Sequence, residues 1–277
     1  MLLGVHCSIN GGFENALIEA ERLGIDTFQV FTKNQRQWRE KQITEAEGKK
    51  FKKQLKQSGI KVAFSHTQYL INLASEDEII RKNSILALEG ELLRCHVLGF
   101  PFTVLHPGAS RGLSEIQAIV KIAEALNLVL RNSGNIKVKV LLENTAGQGS
   151  SIGWKFRHIA EIMKRVDSPG IGMCFDTCHA FSAGYDIRTN EGFEATMEEV
   201  DKLIGLNRLL AFHLNDSKGR LGSRIDRHEH IGKGELGLVP FRLIMNFFKK
   251  IPKVLETKKD NDMDIKNLEV LRSLALG

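Results

Sequence analysis

Eight short segments rich in β-branched and aliphatic residues recur along the chain, each followed by a stretch of helical composition, and this alternation constrains the fold more than any other feature. The segments are Leu3–Ser8, Thr27–Thr32, Val62–Thr67, Thr103–His106, Val138–Asn144, Ile171–Asp176, Leu210–Asn215 and Lys253–Thr257. Helical stretches between them include Glu14–Leu23, Glu45–Ser58, Glu76–Leu98, Ser114–Arg131 and Phe156–Arg165. Gly24, Gly59 and Gly99 each follow a helical run and precede a strand, where the left-handed conformation costs little only for glycine. The chain has 277 residues, close to the roughly 250 typical of a TIM (β/α)8 barrel, and strands joined by crossover helices close naturally into one. No linker or low-complexity tract divides it, so a single domain over 1–277 is expected. An open doubly wound sheet is the structural alternative.

An apolar fraction of 42% supports a substantial core. The longest apolar runs fall well short of the ~18 residues that suggest a membrane span. The opening Met-Leu-Leu-Gly-Val-His lacks a basic region and reads as a strand, not a signal peptide. Cys7, Cys95, Cys174 and Cys178 show neither zinc-ribbon nor redox spacing, so buried free thiols in a reducing, cytoplasmic setting are expected. A net charge of +6 and pI ≈ 9.1 favour a polyanionic partner, although lysines on solvated helix faces give the same balance. Of the two basic runs, Lys49–Lys61 and Lys249–Lys259, the first carries Phe51 and Leu55 at i, i+4 spacing, as an ordinary amphipathic helix does.

Metal-ligand residue types stand at the C-terminal ends of the later six segments, and in a barrel those ends face one mouth. The third segment ends at His66 and the fourth at His106. The fifth ends Leu-Leu-Glu143-Asn and the sixth Cys-Phe-Asp176-Thr-Cys-His179. The seventh contains Phe-His213-Leu-Asn-Asp, with Asp226-Arg-His228 in the loop after it, and the eighth ends Leu-Glu256-Thr. Alone, a strand histidine is more often a satisfied core or surface residue, and a carboxylate at a barrel mouth often caps a helix. Together, imidazoles and carboxylates at one mouth need a cation among them, because buried charge must be paired or metal-bound. Ligation by His, Asp and Glu without cysteine suits zinc, with manganese or iron as alternatives. Nine ligands are too many for one ion but suit three if a carboxylate bridges two of them. Six positive charges from three divalent ions would exceed the four negative charges of Glu143, Asp176, Asp226 and Glu256, leaving a site that attracts a phosphoryl group.

The flanking residues carry a family resemblance. His66 lies in His-Thr-Gln-Tyr-Leu-Ile-Asn-Leu-Ala, His106 in Leu-His-Pro-Gly-Ala, and Glu143 in Leu-Leu-Glu-Asn-Thr-Ala-Gly-Gln-Gly. Further on come Phe-Asp176-Thr-Cys-His179-Ala-Phe-Ser-Ala-Gly-Tyr-Asp, His213-Leu-Asn-Asp-Ser-Lys and Asp226-Arg-His228-Glu-His-Ile-Gly-Lys-Gly. In these motifs the chain resembles the endonuclease IV family nearly end to end. The resemblance implies three Zn2+ ions: His66 and His106 at the first, Glu143 bridging it to the second, Asp176, His213 and Glu256 completing the second, and His179, Asp226 and His228 at the third. It further implies hydrolysis of DNA 5′ to an abasic site, leaving a 3′-hydroxyl and a 5′-deoxyribose phosphate, with blocked 3′ ends processed likewise. Glu143 and Glu256 are then the catalytic carboxylates, since ions sharing a carboxylate acidify water and neutralise a leaving oxygen. Arg36, Gln37, Tyr69 and Leu70 are placed against a bent duplex whose abasic nucleotide leaves the helix. Read without the family, Tyr69 and Leu70 could be ordinary helix-start packing. A monomer is implied. Thr67-Gln68 departs from the small or proline-containing pair expected beside His66.

Other signals are weaker. His6 ends the first segment and is expected to support the ligands through hydrogen bonds. His230 lies two residues past His228 and stays outside the ligand set, while His96 and His158 read as structural. Gly149-Ser-Ser151-Ile-Gly153 matches G-x-S-x-G, but no strand immediately precedes it, so a glycine-rich loop is the expectation. Two rivals remain: a sugar isomerase or epimerase using one or two divalent ions on a polyol, and a non-catalytic binder of damaged DNA.

Overall fold

The alternation is realised as eight parallel strands that close on themselves in the computed structural model, which describes residues 1–39 and 42–275. The barrel strands are β1 (Leu3–His6), β2 (Thr27–Phe31), β3 (Val62–His66), β4 (Phe102–Leu105), β5 (Lys139–Glu143), β6 (Ile171–Asp176) and β7 (Leu209–His213). A pair of two-residue antiparallel strands, β8 (Asp216–Ser217) and β9 (His228–Glu229), stands outside the ring before the last barrel strand, β10 (Lys253–Leu255). Around the ring the order is β1-β10-β7-β6-β5-β4-β3-β2, and Gly4 of β1 pairs with Val254 of β10. That closure excludes the open sheet. Strands β1, β7 and β10 stop two residues before the expected ends Ser8, Asn215 and Thr257, although the amides of Cys7 and Leu214 still bond the neighbouring strands one residue further on.

The helices are α1 (Glu14–Leu23), α2 (Glu45–Gln57), α3 (Glu78–Leu98), α4 (Glu115–Asn132), α5 (Phe156–Lys164), α6 (Thr177–Ala183), α7 (Asn190–Leu203), α8 (Val239–Phe247) and α9 (Met263–Leu274). Where the expected starts differ, a cap explains it. Asp77 accepts from the amides of Ile79 and Ile80, and Ser114 forms a reciprocal capping box with Gln117, so both residues precede their helices. Gly24, Gly59 and Gly99 take φ of 58°, 79° and 79°, as the glycine spacing predicts. No helix among the described residues is long and apolar enough to cross a membrane.

Apolar side chains form two buried bodies. The larger joins the helices to the outer face of the barrel, and the smaller, built on Phe64, Phe102, Val104, Leu141, Cys174, Ala211 and Val254, fills the barrel itself. This filling decides where the chemistry sits.

Candidate metal centre

Strand side chains alternate between faces, so a residue two positions on from a barrel-filling residue points inward, one layer nearer the C-terminal mouth. Two residues beyond Phe64, Val104, Leu141, Cys174, Ala211 and Val254 stand His66, His106, Glu143, Asp176, His213 and Glu256. The six strand-borne ligand types are thus the uppermost layer of the barrel filling. Of the other three, His179 comes from α6, Asp226 from the β8–β9 loop, and His228 from the start of β9.

All nine side chains meet. Glu143 is fully buried at the centre. Its Oε2 lies 3.1 Å from His66 Nε2 and 3.0 Å from His106 Nε2. Its Oε1 lies 2.9 Å from His213 Nδ1 and 3.2 Å from His179 Nδ1. His213 Nδ1 is also 3.2 Å from Glu256 Oε2 and 3.9 Å from Asp176 Oδ2. Beyond His179, Asp226 Oδ1 lies 3.2 Å from His179 Nε2 and 3.4 Å from His228 Nε2. Ligand atoms within 4.8 Å of one another fall into the groups His66/His106/Glu143, Glu143/Asp176/His213/Glu256 and His179/Asp226/His228. A fourth grouping joins Asp176, Cys178 and His228. There the thiol donates to the Arg227 carbonyl, and burial pushes it up to about 12, so a thiolate ligand is disfavoured.

The donor chemistry fits divalent cations. His66 Nδ1 donates to the Thr67 carbonyl at 2.7 Å, His179 Nδ1 to the Asn144 carbonyl at 2.9 Å, and His228 Nδ1 to the Glu256 carbonyl at 3.3 Å. Each ring therefore turns an Nε2 lone pair toward carboxylates, and the Nε2 atoms of His179 and His228 are buried without a hydrogen bond. A lone pair opposing a carboxylate oxygen at 3.2–3.4 Å sets acceptor against acceptor, an arrangement that needs positive charge between them. The electrostatics make the same demand. Burial works against charge on His179 and His213, yet Asp176, Asp226 and Glu143 raise the first, and Cys174, Glu256 and Glu143 the second, well above the ordinary histidine range. Glu256, despite burial, is held down at about 2 by His213 and its other histidine neighbours. A proton satisfies one ring at a time, whereas divalent cations satisfy all nine ligands together.

Several supporting residues escaped the sequence reading. Asp176 does two jobs that had been set against each other: Oδ1 caps α6 by accepting the His179 amide at 2.7 Å, while Oδ2 faces the histidines and accepts Asn215 Nδ2 at 2.6 Å. Asn144 pins the same strand end by bonding the Asp176 backbone on both sides. Buried Asp216 organises the loop that carries Asp226 and His228. Its Oδ1 accepts the amides of Ser217 and Leu236, and its Oδ2 those of Gly232 and Gly234, at 2.8–3.0 Å. A Cβ at position 234 would lie 2.5 Å from Asp216 Oδ1, so glycine is required there. Burial pushes the Asp216 carboxyl upward, and the four donors pull against it. Gln29, on β2, bonds both His213 and Glu256.

Of the weaker signals, His96 departs from its expected structural place and the others follow expectation. His6 Nδ1 sits 4.0 Å from Glu256 Oε1 and outside the three groups, and burial lowers it to about 3, keeping the ring neutral. His230 turns away to Asn267 and Asp260. Within α5, buried His158 accepts the Gly153 amide and lies 3.1 Å from Glu115, whereas His96 is exposed on α3. Ser151 Oγ donates to the Gln148 carbonyl, so its G-x-S-x-G run is a loop.

A cavity of about 540 Å³ opens over the cluster, lined by His106, His179 and Asp226 together with Tyr69, Leu70 and Arg111. Tyr69 is 67% exposed and lies in a turn well before α3, which removes the helix-start reading. Its ring stands 5.7 Å from Phe31. Arg36 and Gln37 are exposed on the β2–α2 loop, whose Trp38 reaches the same cavity. Gln68 is buried with no partner for its amide, and nothing in the structure explains its choice.

Comparison with known proteins bears on this site. Residues 17–274 match the family described as a xylose isomerase-like TIM barrel. A probable endonuclease 4 from Geobacter sp. (strain M21) is 44% identical, over 100% of this chain and 99% of that protein. The crystal structure of endonuclease IV from Thermus thermophilus superposes with a TM-score of 0.88 at 34% identity, covering 99% of this chain and 98% of that one. A D-tagatose 3-epimerase-like protein gives a TM-score of 0.76 but only 19% identity, over 99% and 97% of the two chains, a likeness of fold alone.

Proposed function

The chain belongs to the endonuclease IV family and is a nuclease; on that premise we propose that it cleaves DNA on the 5′ side of abasic sites, leaving a 3′-hydroxyl and a 5′-deoxyribose phosphate, and clears blocked 3′ ends. The observation that carries this reading is the convergence of nine ligand-type side chains into three adjoining groups, two of which share Glu143.

Three Zn2+ ions per chain suit the groups. His66 and His106 would hold the first, Asp176, His213 and Glu256 the second, and His179, Asp226 and His228 the third, with Glu143 available to the first two. Bound there, divalent ions supply an acidified water as nucleophile and positive charge for the leaving oxygen. The chain's own residues do the rest. Glu143 sends one oxygen to each of two groups and so fixes their separation. Glu256 lends one oxygen to the second group while the other is held from β2. Exposed Tyr69, with Leu70 beside it, fills the space vacated by a displaced nucleotide, and Arg36 and Gln37 contact the bent backbone. The net charge of +6 favours a polyanion over a sugar. The protein works as one catalytic domain, as a monomer, in the cytoplasm.

The isomerase or epimerase reading has only the barrel in its favour, and a small polyol needs neither a third ligand group nor an exposed aromatic wedge. Metal analysis of the purified protein alongside incision of an abasic duplex tests the proposal. About three zinc ions per chain and incision lost on chelation and regained with zinc are expected. Robust cutting by metal-free protein, or an uncut abasic strand with the metals in place, would reject it.

A further inference from the structure

Strands β1 and β2 contribute no ligand, yet β2 reaches the cluster through one side chain. Gln29 is fully buried on the inward face of that strand. Its Oε1 lies 2.8 Å from His213 Nε2, and its Nε2 donates to Glu256 Oε1 at 2.6 Å and to His6 Nδ1 at 2.9 Å.

We propose that Gln29 is a positioning residue that selects which atoms of His213 and Glu256 face the second metal, an inference that rests on the metal-centre reading above. Only one orientation of the amide is tolerable, since reversing it would set its oxygen 2.6 Å from a carboxylate oxygen. With the carbonyl toward His213, that ring must donate through Nε2, which leaves Nδ1, 2.9 Å from Glu143 Oε1, as the atom that faces Glu143, Asp176 and Glu256. With the amide nitrogen toward Glu256, Oε1 is occupied and Oε2 is left for the same group, 3.2 Å from His213 Nδ1. One side chain thus fixes the ligating atom of two ligands. His6 takes the second amide hydrogen, so the whole donor capacity of Gln29 is used and its plane is locked. No other residue type reproduces the set. Glutamate would accept from His213 but repel Glu256; methionine fills the volume and bonds neither; asparagine falls one methylene short.

Partners of this kind are worth about 10- to 100-fold in metal affinity. The test compares zinc affinity of wild type, Gln29→Met and Gln29→Glu by competition with a chromophoric chelator, and follows thermal unfolding of the metal-free proteins. Both variants should hold one of the three ions about 10- to 100-fold more weakly, while the other two stay as tight as in wild type. A purely structural role would instead lower metal-free stability and weaken all three alike. Full-affinity binding of every ion by Gln29→Met overturns the inference and leaves the metal centre standing; a wild-type protein that binds no zinc overturns both. Nitrogen-15 NMR of histidine-labelled, zinc-loaded wild type needs no variant. His213 should ligate through Nδ1 with a proton on Nε2, and ligation through Nε2 would refute the role of Gln29.

Discussion

Replacing Asp216 with asparagine changes one atom and isolates what a single buried carboxylate does for the third ligand group. Four backbone amides converge on its two oxygens. Whichever way an asparagine amide turns, its oxygen keeps two of those donors and its NH2 confronts the other two. Two hydrogen bonds to a charged acceptor are lost, at about 1.5–3 kcal/mol each, or about 3–6 kcal/mol in all. The loop can limit this cost by opening, because its amides then reach water. The loss therefore surfaces in one of two measurements. If the loop stays closed, metal-free Tm falls; at about 2–4 °C per kcal/mol for a large domain, the lower figure gives about 6–12 °C. If it opens, Asp226 and His228 no longer meet His179, and metal analysis after dialysis should find two ions retained and one lost. A variant that melts with wild type and keeps all its ions equally tightly would refute the reasoning, and with it the organising role of Asp216.

Glu256→Gln removes a negative ligand with little change in shape; abasic-duplex binding should persist while turnover falls more than about 10-fold, and unchanged turnover would contradict the assigned role. Tyr69→Ala should weaken binding of the abasic duplex about 5- to 150-fold, the equivalent of ~1–3 kcal/mol of aromatic stacking, with metal content unaltered; equal binding in a gel-shift titration would remove Tyr69 from the interface. Stability should fall steeply above about pH 8.5. Burial pushes Cys174 and Cys178 up to about 12 and raises Cys7 and Cys95 too. Each thiol therefore contributes fully below its unfolded value of about 8.5, and that contribution is lost as pH rises toward 12, at about 1.4 kcal/mol per pH unit. Lys253, which burial lowers to about 8, opposes this as a single group, gaining stability from pH 8 to about 10.4. Denaturant melts of Cys174→Ala in reductant should show a slope shallower by about 1.4 kcal/mol per pH unit; a slope identical to wild type would exclude the thiol as the cause.

The barrel and the meeting of its ligand-type side chains were legible because both follow from the two-residue period of a strand. Once Val62–Thr67 or Ile171–Asp176 is recognised as a strand entering a mouth, His66 and Asp176 are placed without further information. Gln29 was hidden by the same logic, since an amide within a buried strand shows neither a charge nor a motif, and its partners lie 184 and 227 residues away. Asp216 directly follows Asn215 and reads as an ordinary turn residue, because the groups donating to its oxygens are backbone amides that carry no side-chain signature. The nearest sequence signal is the glycine pair at 232 and 234, whose spacing is explained only when the carboxylate is seen between them. Gln68 illustrates the opposite case, a departure visible in sequence whose buried amide finds no partner in the fold.

The ring closes between β1 and β10, and Glu256 stands immediately beyond that final strand. During synthesis on the ribosome, seven of the eight staves and most of the ligands emerge before the stave that completes the second group. A chain that stopped short of β10 would lack both the stave that seals the circumference and the carboxylate of Glu256 that the second group includes.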